Sequence, residues 1–124
     1  MKKIVLIGIL LLCIFTFSQP VQAQVKGRLI VFTTEYCPYC KAFMQEVGEV
    51  YDKTRIGGLF PMTEVDNHAP PAEFSELVWQ VRFYPTLMFL DEKGEELARY
   101  RGYRGEEFFW GEMALFMKKQ ASIK

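Results

Sequence analysis

From Arg28 to Thr34 the chain is an almost unbroken apolar and β-branched run, which predicts a strand covered on both faces. The period then changes. Phe43, Val47, Val50 and Tyr51 recur at helical spacing, with Lys41, Gln45, Glu49 and Asp52 on the other side. Pro38 suits the first turn of that helix, where its missing N–H costs nothing, and Gly57-Gly58 is expected to end it. Leu59 to Asp66 reads as a second strand, with Pro61 at its start or on an edge. Asn67 to Pro71 is turn-rich. Ala72 to Val81 reads as a short helix with Phe74, Leu77, Val78 and Val81 inward. Tyr84-Pro85-Thr86 leads into the apolar strand Leu87 to Leu90. Asp91-Glu92-Lys93-Gly94 is a hairpin turn, and Glu95 to Arg101 a charged edge strand that resists edge-to-edge pairing. After the connector Gly102 to Gly105, Glu106 to Lys119 is the last helix, acidic at its start and basic at its end. Phe109, Met113 and Phe116 form its apolar stripe, flanked by Phe108 and Leu115. The order β-α-β-α-β-β-α makes this an α/β chain with a mixed four-stranded sheet flanked by helices.

The first residues follow another rule. Lys2 and Lys3 precede the apolar stretch Ile4 to Phe17, Ser18-Gln19-Pro20 breaks it, and Val21-Gln22-Ala23 offers small residues where a signal peptidase reads. Residues 1–23 are therefore expected to be a signal peptide cleaved after Ala23, leaving one domain over 24–124 and a periplasmic product. The alternative is an uncleaved inner-membrane anchor, for which about 14 apolar residues fall short of the roughly 20 that span a bilayer. Lipid modification of Cys13 is disfavoured, because Leu12 precedes it where a small residue is usual. Cys13 then reads as a passenger.

Formal net charge is zero over the 124 residues. No basic face suggests a nucleic-acid partner. Without Cys13 the thiols that remain are Cys37 and Cys40, in the tetrad Cys37-Pro38-Tyr39-Cys40. Thiols three residues apart at a helix start lie on neighbouring turns, close enough to form a disulfide. The first also meets the unpaired amides and positive end of the helix dipole, which favours its thiolate, the form that attacks a disulfide. Cys37, nearer the helix end, is expected to attack, and Cys40, one turn in, to resolve. Half of a zinc site is the competing reading. Zinc wants four ligands, and only His68 would join the pair, so no metal is expected. Haem attachment is disfavoured because Lys41, not His, follows Cys40. An exported protein with one vicinal pair has no disulfide framework, so the pair itself is expected to be the function, with no cofactor beyond it.

The CxxC between first strand and first helix, Tyr84-Pro85-Thr86 before the third strand, and Gly102 after the last together resemble the thioredoxin/glutaredoxin superfamily. The resemblance covers essentially all of Arg28 to Lys119 and implies a minimal thioredoxin-like fold of the shorter, glutaredoxin-like form. It further implies that Pro85 is a cis-proline lying against the disulfide, an assignment that local propensity alone would not make. Tyr84 would offer its backbone to an extended substrate strand, and Gly102 would permit close approach or simply end a strand. Tyr36 and Tyr39 read either as an aromatic rim for a protein partner or as half-exposed packing residues. Where thioredoxins keep a buried acid six residues before the first Cys, this chain has Val31. Glu35 reads as a solvated strand-end charge, Lys41 either as a solvated helix residue or as a charge that helps the thiolate, and His68 as a loop residue without a chemical role.

Gly102-Tyr103-Arg104-Gly105-Glu106-Glu107-Phe108-Phe109-Trp110-Gly111, with Glu46 to Tyr51 and Val65-Asp66, is more narrowly similar to the SoxS-type periplasmic thioredoxin-like proteins of sulfur-oxidising bacteria. This implies a thiol–disulfide oxidoreductase that reduces or reactivates cysteines of a periplasmic partner, such as a sulfur-oxidation carrier protein. Its electrons would come from a membrane donor of the DsbD/CcdA kind. The alternatives are a DsbA-like dithiol oxidant, a cytochrome c maturation reductant, and a redox-inert thioredoxin-fold binding module.

Overall fold

The computed structural model describes residues 24–123, so the expected signal segment and Cys13 lie outside the described residues. Four strands form one sheet in the order β2-β1-β3-β4: β1 (Gly27–Thr33), β2 (Met62–Asp66), β3 (Thr86–Asp91) and β4 (Glu96–Arg101). β1 pairs parallel with β2 and antiparallel with β3, and β3 pairs antiparallel with β4. The two apolar runs of the sequence are the two central strands. Residues 29–32 are wholly buried because each face of the sheet carries its own core. Leu29, Val31, Leu87 and Phe89 meet Phe43, Tyr51, Phe109 and Phe116 on one face. Ile30, Phe32, Met88 and Leu90 meet Phe74 and Val81 on the other. The sheet is mixed and flanked by helices, as the order of elements predicted.

The first helix, α1, spans residues 38–51, but not as one regular α-helix. Pro38–Phe43 is α-helical, Met44–Gly48 widens into a π turn, and Glu49–Tyr51 returns to α. The wider turn keeps Phe43, Val47 and Tyr51 inward at a spacing of four and rotates Val50 out of the stripe, to 41% exposure. Val50 therefore departs from its predicted inward place.

Gly57-Gly58 departs too: it lies inside a second short helix, α2 (Arg55–Leu59), and does not end the first. Thr54 starts α2, its hydroxyl accepting from the Gly57 amide at 3.1 Å. A Cβ at Gly57 would collide with the Tyr51 carbonyl, so the glycine is there for close approach. The second strand starts later than read, at Met62, with Pro61 just ahead of it and the Pro61 carbonyl accepting from the Leu29 amide at 2.9 Å. The predicted helix Ala72 to Val81 shrinks to a 3₁₀ turn, Ala72–Phe74, followed by α3 (Ser75–Val78). Its inward residues still face the second core. The last helix, α4 (Glu106–Ser122), runs one turn past Lys119, since nothing in Gln120-Ala121-Ser122 stops a helix.

Candidate functional site: a dithiol at the sheet's end

Register decides what shares a neighbourhood. Phe32 pairs with Thr86, Thr33 with Asp66, and Thr86 with Arg101. The exits of β1, β2 and β4 and the entrance of β3 therefore lie at one end of the sheet. The turn carrying Cys37, the Tyr84-Pro85 turn and Gly102 all belong to that end. The Gly102 amide donates to the Pro85 carbonyl at 2.7 Å, which joins two of the sequence-predicted positions directly. The Tyr84–Pro85 peptide bond is cis, and Gly102 has φ 79°, a left-handed conformation that glycine adopts freely.

Cys37 and Cys40 form a disulfide with their Cα atoms 5.2 Å apart. Cys37 is the N-cap of α1. Its Sγ accepts from the Cys40 amide at 3.1 Å, so the sulfur does the work a serine oxygen usually does at a helix start. Pro38 occupies the first turn. Cys37 is 9% exposed and Cys40 4%, so the first thiol is the more accessible, though only by an edge. Tyr36, in left-handed backbone at φ 61°, is 88% exposed, and Tyr39 is exposed as well. Both stand out from the protein beside Cys37 and do not pack into it.

A hollow opens on the α1 side of the disulfide, lined by Cys37, Cys40, Thr33, Lys41, Glu64 and Asp66 among others. Val31 sits in the apolar core on the same face of the sheet, wholly buried. His68 is tied into its loop, its ring within 3.2 Å of the Thr34 hydroxyl and its amide donating to Asp66 Oδ1 at 2.8 Å. Among the described residues no three His, Cys, Asp or Glu side chains cluster so as to hold a metal ion.

Three features outside the hollow escaped the sequence reading. Trp79 and Phe83 are exposed aromatics on the approach to Tyr84, and Trp79 shares a groove with His68, Arg82 and Tyr84. Both fall outside the Phe74-Leu77-Val78-Val81 stripe, which is the signal that marks them as surface. The third is the Tyr103 hydroxyl, which donates to Glu46 at 2.5 Å and ties the segment after Gly102 to the π turn of α1. Tyr103 also packs edge-on against Phe43.

Burial, then the hydrogen bond and charge of Glu46, push the Tyr103 phenol well above its ordinary range. Burial, then the charge of Asp52, does the same for Tyr51, whose hydroxyl donates to the Phe60 carbonyl at 3.0 Å. Burial also raises Tyr84, against an opposing effect of Arg82. The unfolded chain sheds its phenol protons from about pH 10, whereas the folded one retains those of Tyr51 and Tyr103. Their contribution to stability is complete below that pH and is lost as pH rises above it. Melting temperature should therefore fall above about pH 10, and the Tyr103→Phe variant should show a shallower fall. A flat profile would contradict the burial of these phenols.

A family model described as a thioredoxin-like domain matches residues 19–115. No curated protein matches the chain significantly. Among solved structures, the periplasmic thioredoxin SoxS of Paracoccus pantotrophus, in its reduced form, is similar at 27% identity and a TM-score of 0.62. That match covers 75% of this chain and 97% of SoxS. The thioredoxin of Malassezia sympodialis is similar in fold, at 21% identity and a TM-score of 0.57, covering 79% of this chain and 78% of that one. StoA of Bacillus subtilis shares the fold at 18% identity and a TM-score of 0.50, over 69% of this chain and 81% of its own. With the CxxC turn, the mixed sheet and a family match over most of its length, the chain belongs to the thioredoxin-like family.

Proposed function

We propose that this protein is an exported thiol–disulfide oxidoreductase that reduces or reactivates cysteines of a periplasmic partner protein. The observation that carries the reading is the Cys37–Cys40 pair capping α1, with its first sulfur at the accessible edge. Helix amides and the dipole favour a Cys37 thiolate once the pair is reduced. That thiolate attacks one sulfur of the partner's disulfide and releases the other as a thiolate, which takes up a proton. Cys40 then attacks Cys37, forming the intramolecular disulfide and freeing the partner with both its thiols reduced. Two electrons have moved, and a membrane donor of the DsbD/CcdA kind is needed to return them.

Export rests on the sequence of residues 1–23. Among the described residues no helix is long and apolar enough to cross a membrane. The likeness to the periplasmic thioredoxin SoxS supports a periplasmic setting, and a sulfur-oxidation carrier as partner rests on the SoxS-type resemblance of residues 102–111. Tyr36, Tyr39, Tyr84 and Gly102 would form the rim and backbone of the partner's groove, with Pro85 beside them.

A Cys40→Ser protein, exported in its native host, should accumulate a mixed disulfide through Cys37 that reductant dissolves and mass spectrometry identifies. If no partner is trapped while Cys37 still reacts with alkylating reagents, the reductase reading fails. A redox potential near −120 mV would instead favour a dithiol oxidant.

A further inference from the structure

Resolution needs Cys40 to lose its thiol proton, yet Cys40 is 4% exposed and its own backbone amide already points at Cys37. We infer that Glu64 takes that proton through the hollow beside the disulfide, with the Thr33 hydroxyl holding its carboxylate in position. This rests on the dithiol reading above.

The pleat of the sheet supports the assignment. Leu29 and Val31 face the core that α1 covers, so Thr33, two residues on, faces α1 as well. Their partners on β2 are Met62, Glu64 and Asp66, and Met62 packs on that same core. Glu64 therefore projects toward the helix that carries Cys40, one strand over from Val31. The β1 residue at its side is apolar, and the carboxylate stands on the next strand.

The hollow that Cys40 and Glu64 share measures about 710 Å³, far more than a bridging water needs. The other charged and titratable groups lining it are Glu35 and Tyr36 from the turn, Lys41 from α1 and Asp66 from β2. Neither Lys41, an ammonium donor without an acceptor, nor the Tyr36 phenol offers the paired oxygens of a carboxylate. Asp66 commits one oxygen to the His68 amide. All three carboxylates are exposed, and Glu35 lies in the turn before Cys37 and not on a strand. Glu64 alone among the three carboxylates is anchored by a buried strand hydroxyl, accepting from Thr33 Oγ1 at 3.0 Å. Its second oxygen is left for the hollow.

The step balances. The Cys40 thiol proton passes by way of water to Glu64, leaving a thiolate and a neutral carboxyl. The thiolate attacks Cys37 Sγ, the Cys37–Cys40 bond forms, and the bond from Cys37 to the partner's sulfur breaks. The partner's sulfur departs with that electron pair and is protonated, and Glu64 returns its proton to solvent.

Stopped-flow mixing of the reduced protein with dithiobis(nitrobenzoate) separates the two attacks. Cys37 releases one chromophore and Cys40 the second, with no native partner required. Glu64→Gln should leave the first phase unchanged and slow the second about tenfold or more at neutral pH, a modest share of what positioned bases supply. Thr33→Val should slow it less, and Glu35→Gln should slow neither phase. The deficit should vanish at alkaline pH, where Cys40 ionises unaided. A second phase unaltered by Glu64→Gln, slowed equally by Glu35→Gln, or slowed by one factor at every pH overturns the assignment. Absence of the first phase in the unsubstituted protein would overturn the dithiol reading itself, and this assignment with it.

Discussion

Replacing Cys37 by serine should reduce disulfide exchange to the uncatalysed rate while leaving the fold intact. A serine hydroxyl is scarcely ionised at neutral pH and is a far weaker nucleophile toward a disulfide than a thiolate. Its oxygen nonetheless suits the structural half of the position, because serine ranks among the best helix N-caps and can accept the Cys40 amide in place of sulfur. Activity and stability should therefore separate cleanly at this residue. Reduction of a model protein disulfide would fall to background, and the melting temperature would stay close to that of the reduced unsubstituted protein. Cys40→Ser behaves differently: exchange begins and stalls at the mixed disulfide. Turnover above background in Cys37→Ser would mean that the reacting sulfur has been misassigned.

The second large effect lies in the core. Phe89 is fully buried, stacks on Phe116 with ring centroids 4.3 Å apart, and meets Phe60 and Tyr100 edge-on. Phe89→Ala removes the ring on which β3, α4 and the segment after α2 converge. The expected cost is about 3–5 kcal/mol, from lost transfer free energy and the cavity left behind. Domains of this size have about 5–15 kcal/mol in all, so much of the molecule would be unfolded at moderate temperature. At about 4–8 °C per kcal/mol, the melting temperature should drop by more than about 12 °C. Leu115→Ala on α4, at a site 66% exposed, should change stability by no more than about 0.5 kcal/mol. Denaturant melts of the two variants test the pair. Similar losses would mean that α4 packs in another orientation.

The fold was legible because its two central strands are apolar on both faces, which leaves them little alternative to the middle of a sheet. The helix stripes of Phe43, Val47 and Tyr51, and of Phe109, Met113 and Phe116, were equally plain. Boundaries were less so. The reading took Gly57-Gly58 as a stop, but a backbone collision avoided at Gly57 is a tertiary fact that no local pattern records. The π turn likewise left no mark beyond Val50, apolar yet exposed.

At the site, the tetrad announced its own chemistry, whereas Tyr84-Pro85 and Gly102 were found through the family resemblance and not through local propensity. Glu64 was not found. Its role depends on pairing with Val31 across the sheet, and 33 positions along the chain conceal that neighbour. Trp79 and Phe83 were passed over although both fall outside the Phe74-Leu77-Val78-Val81 stripe, because nothing local shows that they border the Tyr84 turn.

In the proposed function the sulfur of Cys37 is the reacting atom, and in the structure it is also the first hydrogen-bond acceptor of α1. A Cys37 thiolate, the form that the helix amides favour after reduction, accepts more strongly than the neutral disulfide sulfur, so the helix's opening turn would be held more firmly in the reduced protein than in the oxidised one. The Cys40 amide is thus a built-in gauge of charge state, and its exchange with solvent deuterium would slow each time the centre is refilled.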